Sequence, residues 1–209
     1  MPLRDDIYGA IRADILDCRL APGAELREHA LAGQYAVSKS PVREALLRLE
    51  RDRLVSVRPR QGYRVAPVSV EAARDLLRFR AVLEPACAAA AAREASGAAR
   101  AELAALARFD PAGEPFTAYN RRFHAALAAA SGNRAMAEAA RDLVGQSDRL
   151  VLASLGTIRG RDPQRLVAEH AAIAAAIGER DARRAERLAR AHLVAAERRI
   201  LEALARRAD

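Results

Sequence analysis

The chain has no tryptophan, and aromatic residues make up only 4% of its 209 residues. Its apolar content must therefore be mostly aliphatic. The hydrophobic half of the composition (51%) is mostly alanine and leucine, residues that favour helix. Cysteine is almost absent. Cys18 and Cys87 are the only two, too few for a disulfide framework. Cys18 ends a helical run and Cys87 lies in an alanine-rich one, which predicts buried free thiols and a reducing cytoplasm. No apolar run approaches the roughly 20 residues that a membrane span needs. Met1-Pro-Leu-Arg4 does not open a secretory signal. The expectation is a cytoplasmic protein with no membrane partner.

What the chain has in excess is positive charge: +8 net, with a pI near 10.5. Its distribution matters more than its total. Residues 1–35 carry four basic and six acidic side chains, whereas residues 36–68 carry eight basic and three acidic. A dense cationic stretch suits a polyanion such as nucleic acid.

That stretch contains Ser38-Lys-Ser-Pro-Val-Arg-Glu-Ala-Leu-Leu-Arg-Leu-Glu50. Ser38 is suited to cap a helix, and Pro41 is tolerated in its first turn. Val42, Leu46 and Leu49 recur at helical spacing and predict one buried face. Lys39, Ser40 and Arg43 cannot all join that face, so they cluster at an exposed helix start. Such a helix fits the major groove of DNA; a capped surface helix is the bland alternative.

The flanking sequence favours the first reading. Ile7, Ile11 and Ile15 predict a helix over residues 3–18, and Ala21-Pro22-Gly23 ends it. Residues 26–34 read as a short second helix with Leu26, Ala30 and Leu31 inward. Tyr35-Ala36-Val37 is a tight link into a third helix, residues 38–52, which makes a helix-turn-helix. Residues 54–58 and 62–66 then read as two strands around a turn at Pro59-Arg60-Gln61. Helices followed by a hairpin make a winged helix. The wing carries Arg58, Arg60, Gly62 and Arg64, placed for phosphate contact.

Residues 7–67 resemble the DNA-binding domain of the GntR family of bacterial transcription regulators. The matching residues are Ile7, Ile11, Ile15, Leu20-Ala-Pro-Gly23, Leu26-Arg-Glu28, Leu31-Ala32, Val37 to Leu46, Leu49, Leu54-Val55 and Gly62. The resemblance implies DNA contacts at Ser38, Lys39, Ser40 and Arg43, at Gly62 on the wing, and at Arg27. The family usually has glycine where Ala36 and Arg53 stand, and arginine where Lys39 stands. Lysine lacks the planar fork that reads guanine.

After the linker at residues 66–71, no strand pattern appears. Helices are expected at about 69–96, with a kink at Pro85, and at 98–109, 112–131, 133–158, 161–178 and 180–207. Breakers at Asp110-Pro111, Ser131-Gly132, Gly160, Pro163 and Gly178 to Asp181 separate them. The fold class is mainly α: residues 1–68 form a winged helix-turn-helix with a small hairpin wing, and residues 69–209 an all-helical bundle.

Three of the four histidines lie in this second part. Asn120 and His124 are four apart and share a face with Phe116, Phe123 and Leu127. His170 is in line with Leu166, Ile173 and Ile177, and His192 flanks Leu188 and Ala195. The three imidazoles point inward from different helices. They are either separate, satisfied core residues or the ligands of one metal.

The second part resembles the FCD ligand-sensing domain of FadR-like GntR regulators. The resemblance rests on Arg80-Ala-Val-Leu-Glu84, Phe123-His124, Ser131-Gly-Asn133, Glu169-His170, Ile173, Ala176-Ile177, Asp181, Ala185 and His192-Leu193. It implies a divalent metal (zinc or nickel, with manganese also allowed by ligand softness) on His124, His170 and His192. An oxygen donor would come from position 120, where Asn120 replaces the family's aspartate. It also implies that Arg80 lies near the carboxylate of a small organic acid effector, although pairing with Glu84 at i, i+4 explains that arginine equally well. Arg149 is a second pocket candidate. The functional expectation is a homodimeric repressor on a two-fold double-stranded operator, with no catalytic residue. The alternatives are a metal-dependent hydrolase, which would lack a general base at HExxH spacing, and a DNA-binding protein with no effector.

Overall fold

The computed structural model describes residues 3–59, 61–67, 69–157 and 163–208. Arg60 of the expected wing and the breaker Gly160 lie outside them. Contacts divide the chain into two units, Met1–Ser69 and Val70–Asp209.

In the first unit, α1 (Leu3–Leu16) is followed by β1 (Glu25–Leu26), α2 (Glu28–Gln34), α3 (Lys39–Arg51), β2 (Val55–Arg58) and β3 (Gly62–Val65). Ile7, Ile11 and Ile15 of α1 are buried against Val42, Ala45, Leu46 and Leu49 of α3, as their spacing predicts. Several details differ from expectation. Leu26 is not the start of a helix. It is buried as part of β1, which pairs antiparallel with β3 through Glu25↔Arg64 and Leu26↔Tyr63. The hairpin is thus a three-stranded sheet of order β1-β3-β2. Ala30 is exposed, and the buried residues of the shortened α2 are Leu31 and Ala32. Cys18 is half-exposed rather than buried.

The turns flanking α3 are glycine-like but made without glycine. Ala36 (φ 54°) and Arg53 (φ 58°) both occupy the left-handed region. They bound α3 on either side, and β-carbon crowding makes each position strained by roughly 1–2 kcal/mol. Gly62 (φ +95°) is required for a different reason: a β-carbon there would stand 2.8 Å from the Leu26 carbonyl oxygen.

Among the described residues, the second unit contains only helices: α4 (Val70–Glu94), α5 (Gly97–Ala105), α6 (Phe116–Ala129), α7 (Arg134–Thr157), α8 (Gln164–Gly178) and α9 (Ala182–Ala208). α4 continues through Pro85. Short polar side chains fix three helix starts. Ser96 accepts from the Ala99 amide, Asn133 from Met136 and Asp181 from Arg184, at 2.9–3.1 Å. α5 and α6 are shorter than expected, because Asp110 bonds the Ala112 amide in a local turn and Pro115 sets the N-cap of α6. Alanines of α4 (Ala88, Ala91, Ala92), α8 (Ala174, Ala176) and α9 (Ala185, Ala189) line the core, where their small side chains let helices approach closely. No helix among the described residues is long and apolar enough to cross a membrane.

Candidate functional site

In the first unit, burying Val42, Ala45, Leu46 and Leu49 turns the opposite side of α3 outward. Ser38, Lys39, Ser40 and Arg43 are all exposed at its start. Ser38 occupies the N-cap position but its hydroxyl makes no capping bond. Arg27 is the N-cap residue of α2 and is exposed. An open groove of about 320 Å³ is lined by Arg27, Glu28, His29, Lys39, Arg43, Gln61, Gly62 and Tyr63. The structure therefore gathers four expected contact residues, Arg27, Lys39, Arg43 and Gly62, on one concavity. It adds Glu28, His29, Gln61 and Tyr63, which the sequence reading did not name as contacts. Arg43 donates from Nε and Nη2 to the two carboxylate oxygens of Glu28, at 2.9 and 2.8 Å. The Arg43 hydrogen bond, and behind it Lys39, holds the Glu28 carboxyl below its ordinary value.

In the second unit, His124 of α6, His170 of α8 and His192 of α9 converge. One ring nitrogen from each lies within 4.8 Å of the others, and all three residues are buried. Their ring centroids are 4.8–5.3 Å apart. Each Nδ1 already has a partner: Glu84 Oε2 for His124 at 2.6 Å, Tyr119 Oη for His170 at 3.2 Å, and Glu169 Oε2 for His192 at 2.7 Å. Phe123 stacks on the His170 ring at 4.1 Å and fixes its plane. The Nε2 of His170 is buried with no hydrogen-bond partner. A buried nitrogen without a partner is costly in a core of separate histidines. It is what an ion held by three Nε2 atoms requires, since outer-shell carboxylates normally hold the far nitrogen of a ligating histidine.

The charge states agree. Burial pushes His124 down to about 4, although Glu84 opposes it. Burial, with the neighbouring His192 and His124, drives His170 well below the ordinary imidazole range. Both rings are neutral at pH 7 and keep a lone pair. Burial alone would raise the carboxyls behind them. Arg80 and His124 instead hold Glu84 well below the carboxylate range, and His192 and Arg199 bring Glu169 down to about 2. The residues present therefore fit a divalent ion.

A cavity of about 40 Å³ opens beside the cluster. Asn120, His124 and His192 line it, with Arg80 and Arg199 adding positive charge and Phe116 and Ile200 among the apolar walls. Arg80 is buried at 3% exposure. Its Nε donates to Glu84 Oε1 at 2.5 Å, while its Nη2 has no hydrogen-bond partner. The i, i+4 pairing with Glu84 is present, and it leaves one guanidinium nitrogen over. Arg149 is buried but does not line this cavity. Glu169, Tyr119 and Arg199 were not singled out by sequence as parts of the site. Glu169 stands beside a chosen histidine, which was its one available signal.

A basic winged helix-turn-helix, carried on one chain with a helical unit built around buried imidazoles, defines the class of modular transcription regulators. The family described as bacterial regulatory proteins, gntR family, matches residues 3–65, and the FCD domain matches residues 75–195. An HTH-type transcriptional regulator in an unstable DNA locus of Streptomyces ambofaciens is 33% identical over 194 residues, covering 91% of this chain and 81% of that protein. The HTH-type transcriptional repressor RspR of Escherichia coli (strain K12) is 36% identical over 74 residues, 35% of this chain and 32% of that repressor, so the match spans about a third of its length. A solved structure of a GntR transcriptional regulator from Rhodococcus sp. RHA1 shares 25% identity, with a TM-score of 0.80 over 97% of this chain and 99% of that one.

The chain belongs to the GntR family of transcriptional regulators and carries an FCD domain. It is a regulator and not an enzyme, which disposes of the hydrolase alternative.

Proposed function

We propose that this regulator is a cytoplasmic homodimeric repressor whose operator affinity is set by a small organic acid bound beside a metal in the second unit. The DNA-binding domain is residues 1–68 and the sensing and dimerisation domain residues 69–209. Ser38, Lys39, Ser40 and Arg43 enter the major groove, Arg27 and Gly62 approach the backbone, and Lys39 supplies a point charge rather than a fork. The observation that carries the sensing half is the histidine cluster: three buried imidazoles with their outer nitrogens held, an orphaned Nε2, and Arg80 on the same cavity with a nitrogen to spare.

His124, His170 and His192 would hold the ion (Zn²⁺, Ni²⁺ or Mn²⁺), with the Asn120 amide as oxygen donor. The ion supplies a positive centre that attracts an anionic oxygen. Because Asn120 adds no charge, a neutral donor set leaves that centre more cationic than a carboxylate would. Arg80 then meets the acid with a charge-assisted hydrogen bond, and Phe116 and Ile200 exclude water from one side. Arg149, which is buried in the same unit, is kept as a second candidate contact for the acid. Phe79 and Val82 on α4 and Val194 on α9 are large, apolar and exposed. Burying them against a second copy would give a two-fold pair of recognition helices.

Calorimetric titration of the metal-stripped full chain with Zn²⁺, Ni²⁺ and Mn²⁺ tests this reading. One saturable site per chain for at least one of these ions is expected. Absence of any saturable site would contradict the metal reading.

A further inference from the structure

The groove of the first unit contains one acidic side chain in a place where a DNA-binding surface should avoid it. Glu28 lines the concavity together with Arg27, Lys39 and Arg43. A carboxylate beside phosphates opposes binding of any duplex, so its presence calls for a compensating role.

Its geometry supplies one. Arginine has five N–H donors in a fixed plane. Glu28 takes one on Nε and one on Nη2, the side edge of the guanidinium. That leaves Nη1 and the outer hydrogen of Nη2, which together make the end edge. The end edge is itself a parallel two-donor fork, the shape that guanine O6 and N7 accept. The Arg43 side chain remains 61% exposed while it is held this way. The carboxylate thus restrains a long, flexible side chain without covering the donors that would read a base.

We propose that Glu28 is a positioning residue for base readout: its carboxylate holds Arg43 side-on so that the free end of the guanidinium addresses one guanine, and its charge disfavours sequence-independent binding. This rests on the DNA-reading role given to Arg43 above. A mask would behave differently. If Glu28 merely occupied Arg43 until DNA displaced it, removing the carboxylate would strengthen binding and leave base preference intact.

The test is selection from a randomised duplex library by the full chain, followed by affinity measurements on the enriched duplex and its single-base variants. Wild type should select a motif containing a guanine whose replacement costs about tenfold. Arg43→Ala should lose preference at that base pair only. Glu28→Gln should lose most of it at the same base pair, and the double variant should match Arg43→Ala. Binding of random duplex by Glu28→Gln should be unchanged or stronger, with a salt dependence at least as steep, which a structural defect would not produce. Glu28→Ala, checked for native circular dichroism, gives an independent second variant.

Retained preference in both Glu28 variants would overturn the inference. So would uniformly tighter binding with preference intact, or loss of preference spread over the whole motif. If wild type enriches no sequence at all, the DNA-reading role of Arg43 fails first and takes this inference with it.

Discussion

Glu84 is the residue on which the second unit's site turns. Its two oxygens join Arg80 and His124, and all three side chains are essentially inaccessible to water. Removing one member of such a buried set strands the others. Glu84→Ala should destabilise the chain by about 3–5 kcal/mol in urea unfolding, because Arg80 is left buried and uncompensated. Glu84→Gln keeps the shape and should mainly weaken metal binding, by about ten- to hundredfold in competition titration, as His124 loses the carboxylate behind it. His170→Ala should abolish the metal site altogether. Unchanged affinity in either variant would place the ion elsewhere. At this scale the histidines themselves were legible, because three inward-facing imidazoles on different helices are conspicuous in a chain with few. Their supports were not. Glu84, Tyr119 and Glu169 lie 40, 51 and 23 residues from their histidines, and helical periodicity carries no information over such separations.

The short elements around α3 show where periodicity reads well and where it stops. The buried face of α3 and its exposed start follow from the spacing of Val42, Leu46 and Leu49. β1 does not, since two residues are too few for any alternation, and the burial of Leu26 that suggested a helix comes from pairing with β3. The sequence reading gives Gly62 a DNA contact on the wing. The close approach within the fold is to the Leu26 carbonyl, so Gly62→Ala should destabilise the sheet by about 1–3 kcal/mol whatever it does to DNA binding. The bounding residues of α3 predict the opposite sign. Ala36→Gly and Arg53→Gly relieve positive φ and should each stabilise the chain by about 1 kcal/mol, less the entropy gained by the unfolded chain. Denaturation midpoints check all three. A lower midpoint for both glycine variants would show that neither turn is strained.

Across the whole molecule, the density of positive charge peaks over residues 36–68, from the start of the third helix through the wing, and the imidazole cluster lies in the other unit. Sequence distinguished these parts because their hydrophobic periods differ: two strands near residue 60, helix alone afterwards. The proposed coupling between them is linkage: an acid that favours one arrangement of the dimer changes DNA affinity by its differential binding energy, typically about 1–3 kcal/mol. Phosphate contacts from the basic unit should make log K fall with log salt at about 0.9 per contact. The decisive measurement is the affinity of the full chain for a duplex it has itself selected, at fixed salt, with the metal removed, restored, and restored in the presence of each of a panel of small carboxylic acids. The account predicts that restoring the metal together with at least one acid shifts the affinity by about five- to 150-fold, and that Arg80→Met removes the shift while retaining the DNA binding. Affinity identical in every arm would contradict it.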